Sequence, residues 1–289
     1  MAQSRAAEAR TGLFLISPPA IYTILLLAAP LATVLIYSVL HSSSGVISGP
    51  FTLDNYAEVL TKPQYRAVMF RSLYISLLVT LATVALAYPI AYFVSFHVKQ
   101  DHKSLWLFLI TIPFWTSYVI RVSLWRTILG FEGIVDSALM NVGIISEPLN
   151  ILANGAASMV ITLAHAYAPF AVLPIFVSLE KVDRSLLEAG QDLGENRIMT
   201  FFRVTLPLTM PGVIAAVLIV FIPTVGDYVT PELIGGGKVP MIANLIETQM
   251  LKLRDQAMGS ATAVTAMLIV GLVSVAFVLW NRRFIGGQK

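Results

Sequence analysis

The chain has 289 residues, 57% of them apolar and only 12% Asp, Glu, Lys or Arg. Soluble domains carry about 25% charged residues, so a soluble fold is all but excluded, as are a disordered chain and, despite a pI of 9.1, a nucleic-acid binder. Cysteine is absent, which removes disulfides, thiol nucleophiles and Cys-ligated metal.

The few charges are clumped. Between Arg10 and Asp54 lie 43 residues with no formal charge. Further uncharged gaps run 72–98, 104–120, 148–179, 204–226 and 256–281. A bilayer core requires about 20 apolar residues in a helix. Six spans follow, near 12–40, 70–96, 104–126, 154–178, 209–231 and 258–281. The first could be mistaken for a secretory signal, with Arg5 and Arg10 ahead of an apolar run. That run extends from Gly12 to Leu40, well past the h-region of a signal peptide. It reads as an uncleaved spanning helix. The third span is the weakest, with Pro113 in its middle and Arg121 and Arg126 near one end, where they could snorkel to an interface.

Proline is scattered through the spans, at Pro30, Pro89, Pro113, Pro169, Pro174 and Pro223. Freed backbone groups need neighbouring helices, which favours an all-α, polytopic bundle over a single anchor. Barrel strands would alternate polar and apolar residues, and these runs do not. The reading is one transmembrane domain over 1–289, without internal repeats. Counting Lys and Arg by side gives eleven with the N-terminus, 97–104, 179–208 and the C-terminus, and eight opposite. The positive-inside rule then places both termini in the cytoplasm. Loop 129–153, with Glu132, Asp136, Glu147 and no basic residue, sharpens the bias. The outer side comes out net acidic.

The stretch 179–208 is the longest polar insertion on its side. Ser185 and Glu188 have capping-box spacing. Leu186, Leu187, Gly190 and Leu193 share one helix face. Gly194 suits the left-handed residue that closes a helix. Asn196 can cap a second helix carrying Ile198, Phe201 and Phe202, and Pro207 and Pro211 mark entry to span five. The result is a short amphipathic helix-turn-helix with an apolar face. Physics alone leaves open whether that face lies on its own bundle or on another protein.

The spacing here is specific. Glu188-Ala189-Gly190, three residues, Gly194, nine residues, then Val204-Thr205-Leu206-Pro207 resembles the E-A-A-x3-G-x9-I-x-L-P loop of bacterial ABC importer permeases. Gly190 stands for the second Ala and Val204 for Ile. Phe221 through Gly236, Met241-Ile242-Ala243-Asn244, Arg254-Asp255 and Asp54-Asn55-Tyr56 are similar to permeases of the spermidine/putrescine type. The resemblance implies the type I importer permease fold in a bacterial inner membrane. It implies a polyamine-like solute, although relatives look alike while moving iron, phosphonates or opines. It implies a second permease chain, two separate ATPase subunits and an external solute-binding protein. This chain would bind no cofactor of its own, ATP and Mg belonging to the ATPase. Glu188, Ala189, Gly190, Gly194, Leu206 and Pro207 would mark the ATPase contact.

For the solute, Asp227 beside Gly226 and Tyr228 is the leading clue. An ionisable residue at membrane depth usually faces a cavity or partner; the plainer reading is an interfacial carboxylate in water. Trp115 and Tyr118 could wall an organic cation or serve as ordinary packing. His165 reads as a hydrogen-bonded bundle histidine. Gly235-Gly236-Gly237-Lys238 fails the phosphate-loop pattern, having Glu232 and Val239 at the required Gly and Ser/Thr positions. No histidine pair has zinc spacing. An ion-coupled transporter would want acids deep in several spans and internal repeats. An intramembrane enzyme would want paired Asp, or Ser with His. Neither pattern is evident.

Overall fold

The computed structural model describes residues 2–43, 46–149, 151, 155–235 and 238–285. Gly236 and Gly237 of the glycine run, Asn154 at the expected start of span four, and Lys289 of the basic count lie outside them, as do the Arg5 and Arg10 side chains. The chain divides into two compact units: residues 1–62 with 246–266, and 63–245 with 267–289.

In the first unit, helix α1 (Ala2–Ser38) is followed by a short antiparallel hairpin, β1 (His41–Ser43) with β2 (Val46–Ser48), pairing His41 with Ser48. This hairpin is a small addition to the all-α expectation. Helix α2 (Asp54–Thr61) ties back to the end of α1. Asn55 Nδ2 donates to the Ser38 and Leu40 carbonyls at 3.2 and 2.8 Å, and Tyr56 Oη to Ser38 Oγ at 2.6 Å. The Asp54-Asn55-Tyr56 motif is therefore a tether for the exit of α1.

The second unit begins with α3 (Pro63–Phe96), whose 34 residues extend for about 51 Å, well beyond a bilayer core. Helix α4 (Gln100–Thr111) passes through a 3-10 turn, Ile112–Trp115, to α5 (Tyr118–Ile128). These two pieces meet at an 87° bend, so the expected third span is broken at Thr116–Ser117. Arg121 does not snorkel as expected. It is 7% exposed, with its guanidinium 5.8 and 5.9 Å from the Phe114 and Tyr118 ring centres. The bend turns this residue into the bundle, and the two rings take up the cation.

Helices α6 (Ile134–Asn141), α7 (Gly155–Leu179), α8 (Arg184–Asp192) and α9 (Arg197–Thr200) follow. A π turn, Phe201–Thr205, leads without a break into α10 (Leu206–Val225). Pro207 has no N–H and its ring crowds the carbonyl four residues back, so a widened turn is the physical response. The expected span five runs too far: α10 stops at Gly226, and 229–233 form the separate short helix α11 (Val229–Leu233). Helix α12 (Ile242–Glu247), a π turn over Thr248–Lys252, α13 (Gln256–Trp280) and α14 (Arg282–Ile285) complete the chain. Arg254 adopts φ 55°, and Asp255 Oδ1 accepts from the Met258 N–H at 3.0 Å. That motif caps α13.

Among the described residues five helices are long and apolar enough to cross a membrane, and six if the bent pair counts as one. The core of the second unit lies where α3, α7 and α10 meet, around Val79, Ala91, Leu163, Val172, Ile175 and Val220. Gly212 decides how close α10 comes to α7. A Cβ there would lie 2.4 Å from both the Pro174 carbonyl oxygen and Ser178 Oγ. Only glycine fits.

Candidate functional site

Two regions contain the residues singled out by the sequence. The first runs from Asp183 to Pro207. Asp183, not Ser185, caps α8: its carboxylate accepts from the Ser185 N–H at 2.9 Å. Hydrogen bonds from the Ser185 N–H and hydroxyl hold that carboxyl below the usual range. The expected capping box does not form because the helix starts one residue before Ser185, which places Leu186 where a reciprocal Glu or Gln is needed. Glu188 is exposed in mid-helix.

The other end of α8 follows the expectation. Gly194 has φ +89°, the Glu195 N–H donates to the Gly190 carbonyl at 3.1 Å, and the Gly194 N–H to Gln191 at 2.9 Å. This is a Schellman closure. A Cβ on Gly194 would meet nothing within 4 Å in this chain, so its conformation, not crowding, requires glycine here. Gly190 differs: a Cβ there would lie 3.3 Å from Thr200 Cγ2. Its smallness already serves packing of α8 on α9 within the chain. Asn196 caps α9, accepting from the Met199 N–H at 2.8 Å as expected, and Arg203 pairs with Glu195 at 2.9 Å. Ala189 is exposed, and Leu206 and Pro207 are half-buried at the start of α10. Large apolar side chains stand uncovered: Leu193 is 87%, Ile198 70% and Phe202 60% exposed.

The second region is a hydrogen-bonded knot around Asp227. This carboxylate neither faces water nor stands free; it is 7% exposed. Oδ1 accepts from the Val229 and Thr230 N–H groups at 3.1 and 3.4 Å, capping α11. Oδ2 accepts from Tyr118 Oη at 2.9 Å, and that hydroxyl lies 2.8 Å from Thr230 Oγ1. The structure thus brings Tyr118 and Asp227 together across 109 positions. It does not bring in Trp115, which is exposed and lies edge-on to Phe108. Tyr228 is also exposed; its carbonyl accepts from Asn244 Nδ2 at 2.8 Å, while Asn244 Oδ1 caps the Met241 N–H. The similar stretches around 228 and 241 are therefore stitched to each other. Arg121, beside Tyr118, has no hydrogen-bond partner for Nε or Nη1 among the described residues. His165 accepts from Trp125 Nε1 at 3.2 Å but is exposed, so it is hydrogen-bonded without being packed in the bundle as expected.

A third cluster was missed by sequence reasoning. Lys103 Nζ reaches both oxygens of Glu180, at 2.7 and 2.8 Å, and Ser95 Oγ donates to Oε1 at 2.6 Å. Burial pushes the Glu180 carboxyl up, but the bonds from Lys103 and Ser95 and the charges of Lys103 and Arg184 outweigh it, leaving it below its ordinary value. The only sequence signal was a lysine and a glutamate at the edges of two charge gaps.

Residues 65–285 match the family described as the binding-protein-dependent transport system inner membrane component. The chain belongs to that family, and it is a multi-pass inner-membrane protein. It is 40% identical over 229 residues to the spermidine/putrescine transport system permease protein PotB of Escherichia coli K12, covering 78% of this chain and 82% of that one. The protein of the same name in Haemophilus influenzae is 36% identical over 242 residues, covering 84% of each. Among solved structures, a bacterial alginate ABC transporter in complex with an alginate pentasaccharide-bound periplasmic protein has a TM-score of 0.75 at 15% identity, covering 98% of both chains. That likeness establishes the type I importer permease fold.

Proposed function

We propose that this chain is the permease subunit of an ATP-driven polyamine importer and that residues 184–205 are its contact with a separate ATPase. The observation that carries the contact is the closed geometry of α8 and α9 with Leu193, Ile198 and Phe202 left outside it. Exposed apolar side chains on a rigid, capped frame favour a protein partner. The chain itself hydrolyses nothing. ATP and Mg sit on the ATPase, a second permease chain shares the pathway, and an external binding protein delivers solute. Both termini lie in the cytoplasm, on the ATPase side, and residues 1–289 act as one permease domain.

Closure of the ATPase pair draws the two coupling segments together and opens the pathway outward. The polyamine reading is supported by the relatives' names at 36–40% identity. Asp227 can take part: an ionised carboxylate has about four acceptor positions, and three hydrogen bonds occupy it here. One ammonium can add to the free position. Tyr118 orients that carboxylate, while Tyr228 and Trp115 present exposed rings to the pathway.

The test is uptake of labelled spermidine and putrescine by proteoliposomes containing both permease chains and the ATPase, with binding protein and ATP. Saturable, ATP-dependent uptake is expected. Uptake of an anionic opine or phosphonate, with none of polyamine, would reject the substrate. An outside impermeant thiol reagent reaching Ser185→Cys in intact cells would reject the topology.

A further inference from the structure

The polar cluster at the end of α7 joins α8, the first helix of the coupling segment, to α3, α4 and α7. Lys103 lies in the first turn of α4 and is buried, while Glu180 follows the last residue of α7. Ser95, near the end of α3, donates to the same carboxylate. Arg184, the first residue of α8, donates from Nη2 to the Ser95 carbonyl at 3.4 Å, and its guanidinium lies 5.7 Å from the Phe96 ring centre. A buried ammonium requires a counter-charge, and Glu180 supplies it with both oxygens.

The far end of α8 is held differently, by Gly190 against Thr200 and by the Arg203–Glu195 pair. Behind the middle of α8 there is a cavity of about 250 Å³, lined by Tyr92, Phe96, Leu187, Gln191 and Phe201 among others. The helix is therefore anchored at both ends and also packs on α9 and on the Phe201–Thr205 turn beside this cavity. A push on its outer face reaches α3, α4 and α7 through the Glu180 end, and α10 through the contacts of α8 with the Phe201–Thr205 turn.

We propose that Lys103, Glu180 and Arg184, with the Ser95 backbone, form a clamp that transmits displacement of α8 to α3, α4 and α7. This rests on the assignment of α8 as the ATPase contact. The three side chains are positioning residues: none touches solute or nucleotide. Their loss should uncouple hydrolysis from transport without releasing the ATPase.

The experiment uses the complete importer in proteoliposomes, with Lys103→Met, Lys103→Arg, Glu180→Gln and Arg184→Gln. Three quantities are read: ATPase co-purification, the ratio of hydrolysis with loaded binding protein to hydrolysis without it, and uptake per ATP. Lys103→Met and Glu180→Gln should bind the ATPase normally and lose about tenfold in the stimulation ratio, the scale on which contacts along a coupling network act. Lys103→Arg should restore most of it. Arg184→Gln, which removes an exposed side chain and leaves the ion pair intact, should lose about threefold. If Lys103→Met fails to assemble, Arg184→Gln decides. A native stimulation ratio and native uptake per ATP in Arg184→Gln would overturn the clamp. So would a parallel fall in ATPase association and hydrolysis, which marks a merely structural role. Absence of any ATPase on the native chain would instead sink the coupling assignment itself.

Discussion

The segment from Asp183 to Thr205 and the knot around Asp227 are both short helices held by caps, yet they treat their surroundings in opposite ways. In the first, the polar groups close the helix ends and the large apolar side chains point away from the chain. In the second, the polar groups bond one another and the carboxylate is buried. A frame that satisfies its own backbone but leaves its apolar surface uncovered favours a protein partner. A carboxylate already holding three donors is first a structural element, and a ligand must join that network or displace part of it.

The sharpest way to break the contrast is at Gly194. Its φ of +89° penalises any Cβ by about 1–2 kcal/mol, although a Cβ has free space within the chain. Gly194→Leu should abolish uptake and ATPase association. Gly194→Asn, whose side chain tolerates the left-handed region, separates the two causes. Near-native activity would show that helix closure is what matters; loss with an intact fold would show that a partner approaches the backbone closely. Uptake assays with ATPase pull-down read both.

Next in size is Gly212→Val, which forces α10 off α7 against a backbone carbonyl. Overpacking of this kind costs about 1–3 kcal/mol or more. Thermal unfolding in detergent should drop clearly, whereas Arg184→Gln, at an exposed side chain, should leave it near native.

Asp227→Asn sharpens the other half of the comparison. Replacing the buried, hydrogen-bonded carboxylate should cost about 1–3 kcal/mol of stability, with reduced polyamine uptake. Stability lost with uptake per folded molecule unchanged would make Asp227 purely structural. Native uptake and native stability together would contradict both roles.

The smallest effect expected is a pH dependence from Glu180. Its folded carboxyl titrates below the ordinary glutamate value of about 4.3. The stabilisation is therefore complete above that value and fades as pH falls through the lower, folded one. Glu180→Gln should flatten the part of the stability curve below about pH 4.5. An unchanged acid limb would show that other carboxylates dominate it.

The spans were legible because a bilayer requires long uncharged runs, and charge gaps mark these directly. Gly194 and Asn196 were legible because helix ends have local chemistry. What was not legible depends on direction or on distant partners. Hydropathy cannot report the bend at Thr116–Ser117, so Arg121 reads as an interfacial residue although it turns inward. The apolar run continues past Val225, so the cap at Gly226 and the start of α11 were merged into one span. Tyr118 with Asp227, and Lys103 with Glu180, pair across 109 and 77 positions, and no local pattern announces them. The cap at Asp183 is not distinguishable in sequence from one at Ser185, because Asp and Ser are equally good acceptors for the first turn of a helix.

The central claim is that the uncovered face of α8 and α9 lies on an ATPase. Because the chain has no cysteine, Leu193→Cys provides a unique thiol at an 87% exposed position. A short bifunctional thiol–amine cross-linker applied to membranes containing the assembled importer should join Leu193→Cys to the ATPase in high yield. Trp115→Cys, exposed at the break in the third span and outside the coupling segment, should give none. A cross-link from Trp115→Cys with none from Leu193→Cys would contradict the account.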